Sequence, residues 1–143
     1  MAEYPLPKFH FEVDWGGQKF GFTEVTGLDK QVEVIEYRDG SNWTFSKIKM
    51  PGLQKYSNIT MKRGTFLGKT EFYDWLKTVD NLGKVERRDI TIKLLDETHQ
   101  PVFTWKALNA FPTKVQASDL KSDGNEVAIE TLEVAHEGLS LVK

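Results

Sequence analysis

The chain has 143 residues, 39% of them hydrophobic and 28% charged, with a formal net charge of −2. That length fits one domain, residues 1–143, burying roughly 70% of the surface of its unfolded chain. The near-neutral balance speaks against a general nucleic-acid or membrane binder. The absence of cysteine excludes disulfides, thiolate metal sites and a cysteine nucleophile.

The opening stretch, MAEYPLPKFHFEVDW, lacks the basic region and long apolar run of a secretion signal. No apolar run approaches the roughly 20 residues of a membrane span. The expectation is synthesis in the cytoplasm without a signal peptide, no membrane insertion by this chain, and any export by another route. Phe9, Phe11, Val13 and Trp15 alternate with His10, Glu12 and Asp14, which specifies a strand with one apolar face. Gly16-Gly17 turns the chain into a second strand, Gln18–Thr26, carrying Phe20, Phe22 and Val25. Past a turn at Gly27–Asp29, the third strand, Lys30–Arg38, opposes Ile35 and Tyr37 to Val32 and Val34. Apolar residues on both faces belong to a strand buried on both sides or covered by a neighbouring subunit.

Asp39–Lys55 reads as a long extended loop, and Tyr56–Arg63 as a short fourth strand. From Thr70 to Leu82, Phe72, Trp75, Leu76 and Val79 recur at i, i+3, i+4 and i+7. Thr70 suits the N-cap, Glu71 the first turn and Gly83 the stop, so this is the one helix. Val85–Leu95, with Ile90, Ile92 and Leu94 in alternation, and Pro101–Phe111, with Phe103 and Trp105, are further strands. Thr113–Gly124 is a second irregular region with a Ser-Asp-Gly turn signal. Asn125–His136 completes the set with Val127, Ile129, Leu132 and Val134. The pattern predicts a mainly β fold: two packed antiparallel sheets forming a β-barrel or sandwich, with one α-helix flanking an opening or edge.

Charge is segregated along the chain. Arg38–Lys69 holds seven basic residues (Arg38, Lys47, Lys49, Lys55, Lys62, Arg63, Lys69) against one acid, Asp39. Gln116–Glu137 holds six acids (Asp119, Asp123, Glu126, Glu130, Glu133, Glu137) against one base, Lys121. A charge run alone is more often a solvated face than an interface. Here the basic loop also carries Ile48, Met50, Pro51 and Leu53, and a long loop that is apolar as well as basic is usually functional or covered. Two surfaces of opposite sign would attract copies of one subunit head to tail.

Catalytic patterns are missing. His10, His99 and His136 are far apart in sequence, without metal-ligand spacing, and no pair of acids stands out as a catalytic dyad. There is no phosphate loop, dinucleotide fingerprint or nucleophile elbow. The reading is a non-enzyme without cofactor or metal. The aromatics Tyr37, Trp43, Phe45 and Tyr56 among the lysines also suit a β-barrel module binding single-stranded nucleic acid, although the acidic tail would repel phosphates.

Several segments together resemble the tail tube proteins of contractile bacteriophages and phage-derived contractile injection systems. They are FHFEVDW and FTEVTGL (Phe9–Trp15, Phe22–Leu28), EYRDGSN (Glu36–Asn42), KMPGLQKYSNITMKRG (Lys49–Gly64), FYDWL (Phe72–Leu76), ALNAFPTKV (Ala107–Val115) and NEVAIETLEVAHEGLSLVK (Asn125–Lys143). They cover almost the whole chain in family order, and more distantly the type VI secretion tube protein is similar. The resemblance implies a β-barrel-like fold of two sheets. Copies would close into hexameric rings, and rings would stack into a hollow tube driven through a target envelope by a contracting sheath. Implied partners are the chain itself, the sheath, baseplate or initiator and terminator proteins at the ends, and cargo in the lumen, either protein toxin or DNA.

Under that resemblance the Asp39–Lys55 arm is the candidate for reaching an adjacent ring. Its interface residues are Arg38, Asp39, Trp43, Lys47, Lys49, Met50, Pro51 and Leu53, with Asp119, Asp123 and Glu126 opposite. Glu130, in the closing motif, is a further candidate at the subunit boundary. Ring closure of this kind is heterologous, one face of a subunit meeting a different face of the next. Strands near Gln18–Thr26, Lys30–Arg38, Val85–Leu95 or Asn125–His136 are expected to line the channel.

Overall fold

The computed structural model describes residues 8, 10–15, 19–41, 43, 47–66, 68, 70–80 and 85–142. Phe9, the Gly16-Gly17 turn, Gln18, Phe45, Lys69, Leu82 and the Gly83 helix stop lie outside the described residues.

Among the described residues, ten strands and one α-helix follow in order: β1 (Phe11–Trp15), β2 (Lys19–Phe20), β3 (Glu24–Thr26), β4 (Gln31–Tyr37), β5 (Ile48–Lys55), β6 (Ile59–Gly64), α1 (Glu71–Lys77), β7 (Arg88–Leu95), β8 (Pro101–Ala117), β9 (Ile129–Ala135) and β10 (Gly138–Leu141). All pairings are antiparallel, in the order β2-β1-β7-β8-β9-β6-β3, with β10 also on β8 and β4-β5 as a separate two-stranded sheet.

The long strand β8 turns this path into two layers. Its first half pairs β7 and β10, and Phe111–Ala117 pairs β9. The corner has a local cause. Asn109 is in the left-handed region (φ 51°), and its N–H leaves the ladder for Asp89 Oδ1 at 3.0 Å. Pro112, which has no N–H to donate, sits at a register shift against β9. Alternate residues of the two layers meet inside: Val13, Trp15, Ile90, Ile92, Ala107 and Ala110 from one, Ile59, Met61, Leu132 and Val134 from the other. Helix α1 adds Phe72 and Trp75, whose rings meet Trp15 edge-on at 5.4 and 5.0 Å, while Phe22 stacks on Phe72 at 5.8 Å. The expected sandwich with one flanking helix is what forms, and the sheet does not close into a barrel among the described residues.

Several boundaries differ from the sequence reading. Gln18–Thr26 is not one strand: β2 pairs β1 while β3 pairs β6, so the segment crosses between layers at residues 21–23. The loop expected over Asp39–Lys55 is a strand from Ile48 onward, paired with β4. Thr113 to Ala117 belongs to β8, because Val115 packs against the core. In β9 the inward residues are Glu130, Leu132 and Val134, so Ile129 faces the other way and Val127 lies outside the strand, exposed. The helix ends at Lys77 and continues as a 3₁₀ turn over Thr78–Asp80, with the Thr78 hydroxyl donating to Trp75 O at 2.7 Å. Thr70 occupies the N-cap position, but its hydroxyl donates to Asp74 Oδ2 rather than capping the backbone.

Candidate functional site

The β4–β5 hairpin stands apart from the sandwich as its own sheet. Cross-strand register sets Ile35 opposite Met50 and Tyr37 opposite Ile48, which share one face; Val34 opposite Pro51 and Glu36 opposite Lys49 share the other. The register shift between Val32 and Val34 accommodates Gly52, where a Cβ would approach Ile35 Cγ1 to 2.9 Å and Glu33 O to 3.1 Å. Lys47 pairs with Glu36 at 3.2 Å, and Lys55 pairs with Glu33. At the tip, Asp39 Oδ1 accepts from Ser41 N at 3.1 Å and Ser41 Oγ at 2.9 Å, closing an Asx turn.

Both faces of the hairpin are open. Val34 is 59% exposed, Leu53 77% and Trp43, near the tip, 97%, and Val32, Ile35, Tyr37, Ile48 and Met50 are exposed as well. An isolated two-stranded ribbon is marginal in water, and contiguous apolar surface of this kind marks an interaction site. The sequence foresaw a strand with apolar residues on both faces; among the described residues of the subunit, β4 is covered on neither.

The acids Asp119, Asp123 and Glu126 singled out from the sequence lie on the segment between β8 and β9. Its base is closed by Ser118 N donating to Ile129 O at 2.9 Å and Ile129 N to Ser118 Oγ at 3.1 Å, and a turn joins Gly124 N to Lys121 O at 3.0 Å. Asp119, Asp123 and Glu126 are exposed on it, and none takes part in an ion pair among the described residues. Leu120 and Val127 are exposed beside them.

Glu130 lies elsewhere. It is 3% exposed, in register with Arg63, and Arg63 Nε donates to its Oε2 at 3.1 Å. Arg63 also reaches Glu71 of α1 at 3.1 Å and covers the Phe72 ring at 4.0 Å. This carboxylate ties sheet to helix inside the subunit, as the burial demanded by an inward position requires. Sequence patterning missed it because a charged residue at an inward strand position looks like a surface residue until its partner is known.

The histidines also rearrange. His10 and His99, 89 positions apart, are hydrogen-bonded through Nε2 and Nδ1 at 2.7 Å, where the start of β1 meets the β7–β8 turn. No cluster of three or more metal-ligating side chains forms among the described residues.

Comparison with known families places this geometry. A family model for the T4-like virus tail tube protein gp19 matches residues 7–140. The chain belongs to that tail tube family. It is also similar to a chain of the PVC sheath–tube complex of an extracellular contractile injection system in the extended state. There the identity is 36% and the TM-score 0.89, with coverage of 98% of this chain and 93% of the other. For a chain of the PVC sheath/tube terminator in the extended state, identity is 35%, TM-score 0.92 and coverage 100% of each. Hcp1 from Flavobacterium johnsoniae shares the fold at 16% identity and TM-score 0.56, covering 92% of this chain and 94% of that one. No curated protein sequence matches significantly. This tail tube protein is thus built like the tubes of contractile injection systems and phage tails, a structural family. No helix among the described residues is long and apolar enough to cross a membrane.

Proposed function

We propose that the chain is a non-catalytic subunit of the inner tube of a contractile injection particle or phage tail. Copies close into hexameric rings that stack inside a sheath, between baseplate and terminator proteins, and conduct protein or DNA cargo. It is made in the bacterial cytoplasm and carried out as part of the particle. The observation that carries this reading is the β4–β5 hairpin, a ribbon with both faces exposed that a second copy would cover.

Within a ring, the side of β3 away from β6 and the side of Phe111–Ala117 away from β9 have no ladder partner among the described residues. Edge-to-edge pairing between copies would extend the β8-β9-β6-β3 layer around a channel. Its outward face, with Thr60, Lys62, Lys114, Gln116, Thr131 and Glu133, is hydrophilic enough to be a wetted wall. Between rings, the hairpin carries Arg38, Lys47 and Lys49 toward Asp119, Asp123 and Glu126 of the next copy, while Met50, Pro51 and Leu53 bury apolar area. Asp39 shapes the tip, and Trp43 is the largest exposed side chain near it. Glu130 serves the boundary indirectly, by holding β9 and α1 in place.

The test is negative-stain electron microscopy of Lys47→Glu/Lys49→Glu beside the parent, over a concentration series at low salt. Stacking should need about tenfold more protein while rings and the thermal transition persist; polymerisation of the double variant at the parent's concentration would refute the arm-to-acid contact.

A further inference from the structure

Because the β4–β5 hairpin shares no ladder with the sandwich among the described residues, its direction depends on the two legs that carry it. The outgoing leg is residues 27–30 and the return leg residues 56–58. Every residue of the return leg contacts the body of the subunit. The Tyr56 ring lies 5.4 Å from the His136 imidazole, and its hydroxyl donates to Gln54 Oε1 at 2.9 Å. Ser57 is gripped on both sides of its backbone: its N–H donates to Asp29 Oδ1 at 3.2 Å, and its carbonyl lies 3.1 Å from His136 Nε2. Since His136 Nδ1 is buried without a partner, the Nε2–H tautomer satisfies that contact. Asn58 donates through Nδ2 to Glu133 Oε1 at 3.1 Å, and its carbonyl packs against Gly27.

Tyr56 also packs against the core, but the contacts of Ser57 and Asn58 lie outside it and outside the ladders. What they share is the angle at which the hairpin leaves the body. At about 3.3 Å per residue, the eight residues of β5 span roughly 26 Å. A tilt of about 20° at the root would therefore swing the tip by about 9 Å, well outside the range of a specific contact. An arm already aimed also avoids the ordering cost that a swinging one meets on association.

We propose that Asp29 and His136, acting through the Ser57 backbone, are positioning residues that fix the attitude of the hairpin for assembly. This rests on the reading of the hairpin as the assembly arm. The chain has no cysteine, so spin labels at Ser41→Cys and Glu97→Cys report the tip-to-body distance directly.

In the monomer, the distance distribution by double electron–electron resonance should be narrow for the parent. It should broaden at least twofold in Asp29→Ala and in Asp29→Ala/His136→Ala. Asp29→Asn, which keeps an acceptor, and His136→Gln, which keeps a donor, should restore the narrow distribution. Asp29 is exposed, so its single variant keeps the thermal transition of the parent, and that variant decides the matter should the double variant unfold. In pelleting assays the alanine variants should need at least tenfold more protein to assemble, and the conservative ones within twofold of the parent. An unchanged distance distribution in Asp29→Ala would overturn the proposal. Broadening without any assembly defect would overturn it too. Variants of the hairpin face, Met50→Ser/Leu53→Ser, separate the two readings. If these assemble normally the arm itself is wrong; if they fail while the root variants assemble, only the clamp is wrong.

Discussion

Arg63 and Glu130 are register partners on β6 and β9, and their charges meet inside the sandwich at 3.1 Å. The pair sits where strand alternation calls for apolar residues, and Glu71 brings α1 into the same network. Burying such a pair gains little over a well-packed apolar one, but removing one partner strands the other charge. Glu130→Ala leaves Arg63 with only its partly exposed partner Glu71, so it should destabilise the subunit by about 3 kcal/mol, and Glu130→Ala/Arg63→Met should recover part of the loss. Thermal denaturation of the unassembled subunit measures this, with an expected drop of about 10 °C or more for the single variant. A change within 2 °C, by contrast, would mean that water reaches the pair (about 0–1 kcal/mol, as for a surface bridge).

Gly27 is tested by a single methyl. It has φ +90°, and an added Cβ would lie 2.2 Å from the Asn58 carbonyl oxygen. Backbone opposes backbone there, so no side chain can swing aside. Gly27→Ala should cost about 2 kcal/mol or more. Gly21→Ala, where a Cβ meets nothing within 4 Å, serves as the control and should stay within about 0.5 kcal/mol. Urea titration of both variants makes the comparison, and equal midpoints would show that the root of the hairpin yields easily.

The elements with strict periodicity were legible from sequence. Val13 and Trp15 in β1, Ile90 and Ile92 in β7, and Phe72 and Trp75 in α1 are all buried as their spacing requires. Local signals failed where a distant partner decides. The inward phase of β9 depends on Arg63 accepting Glu130, and the crossing at residues 21–23 depends on two different strands claiming its two ends. The strand character of Ile48–Lys55 was masked by Pro51 and Gly52, which a bulge and an edge accommodate. For the candidate surface, charge segregation and two-faced apolarity pointed to the hairpin and the acidic segment. The root contacts of Asp29, Ser57 and His136 join positions up to 79 residues apart and leave no mark in composition.

A pH dependence is expected at the β7–β8 turn. Asp96 Oδ1 accepts from Gln100 N at 3.0 Å, Thr98 Oγ1 at 2.7 Å and Thr98 N at 2.8 Å. The Gln100 backbone bond first, then the Thr98 hydroxyl, hold this carboxyl below its ordinary value. A depressed folded-state value stabilises above the unfolded one, near pH 4, and that contribution fades as pH falls through the folded value. Asp96→Asn should consequently melt below the parent at pH 7, with the gap closing as pH falls through the lowered folded-state value. The site is exposed, so the gap is small. A gap that stays constant with pH would assign the effect to the geometry of the turn rather than to its charge.

Salt separates the two contributions proposed for ring stacking. Exposed ion pairs are worth about 0–1 kcal/mol each, and their range shrinks from about 10 Å at 0.1 M salt to about 3 Å at 1 M. Met50 and Leu53, exposed in the subunit, would each contribute about 1.5–3 kcal/mol if fully covered. Together they should outweigh any single charge pair. Met50→Ser/Leu53→Ser should accordingly raise the concentration needed for tube growth by about 100-fold or more at every salt concentration. Lys47→Glu/Lys49→Glu should shift it mainly at low salt, by about tenfold, and converge on the parent near 1 M. Sedimentation of assembled from free protein across a salt series reads both curves. If 1 M salt dissolved the parent tubes while the serine variant still assembled, charge rather than apolar burial would hold the rings together.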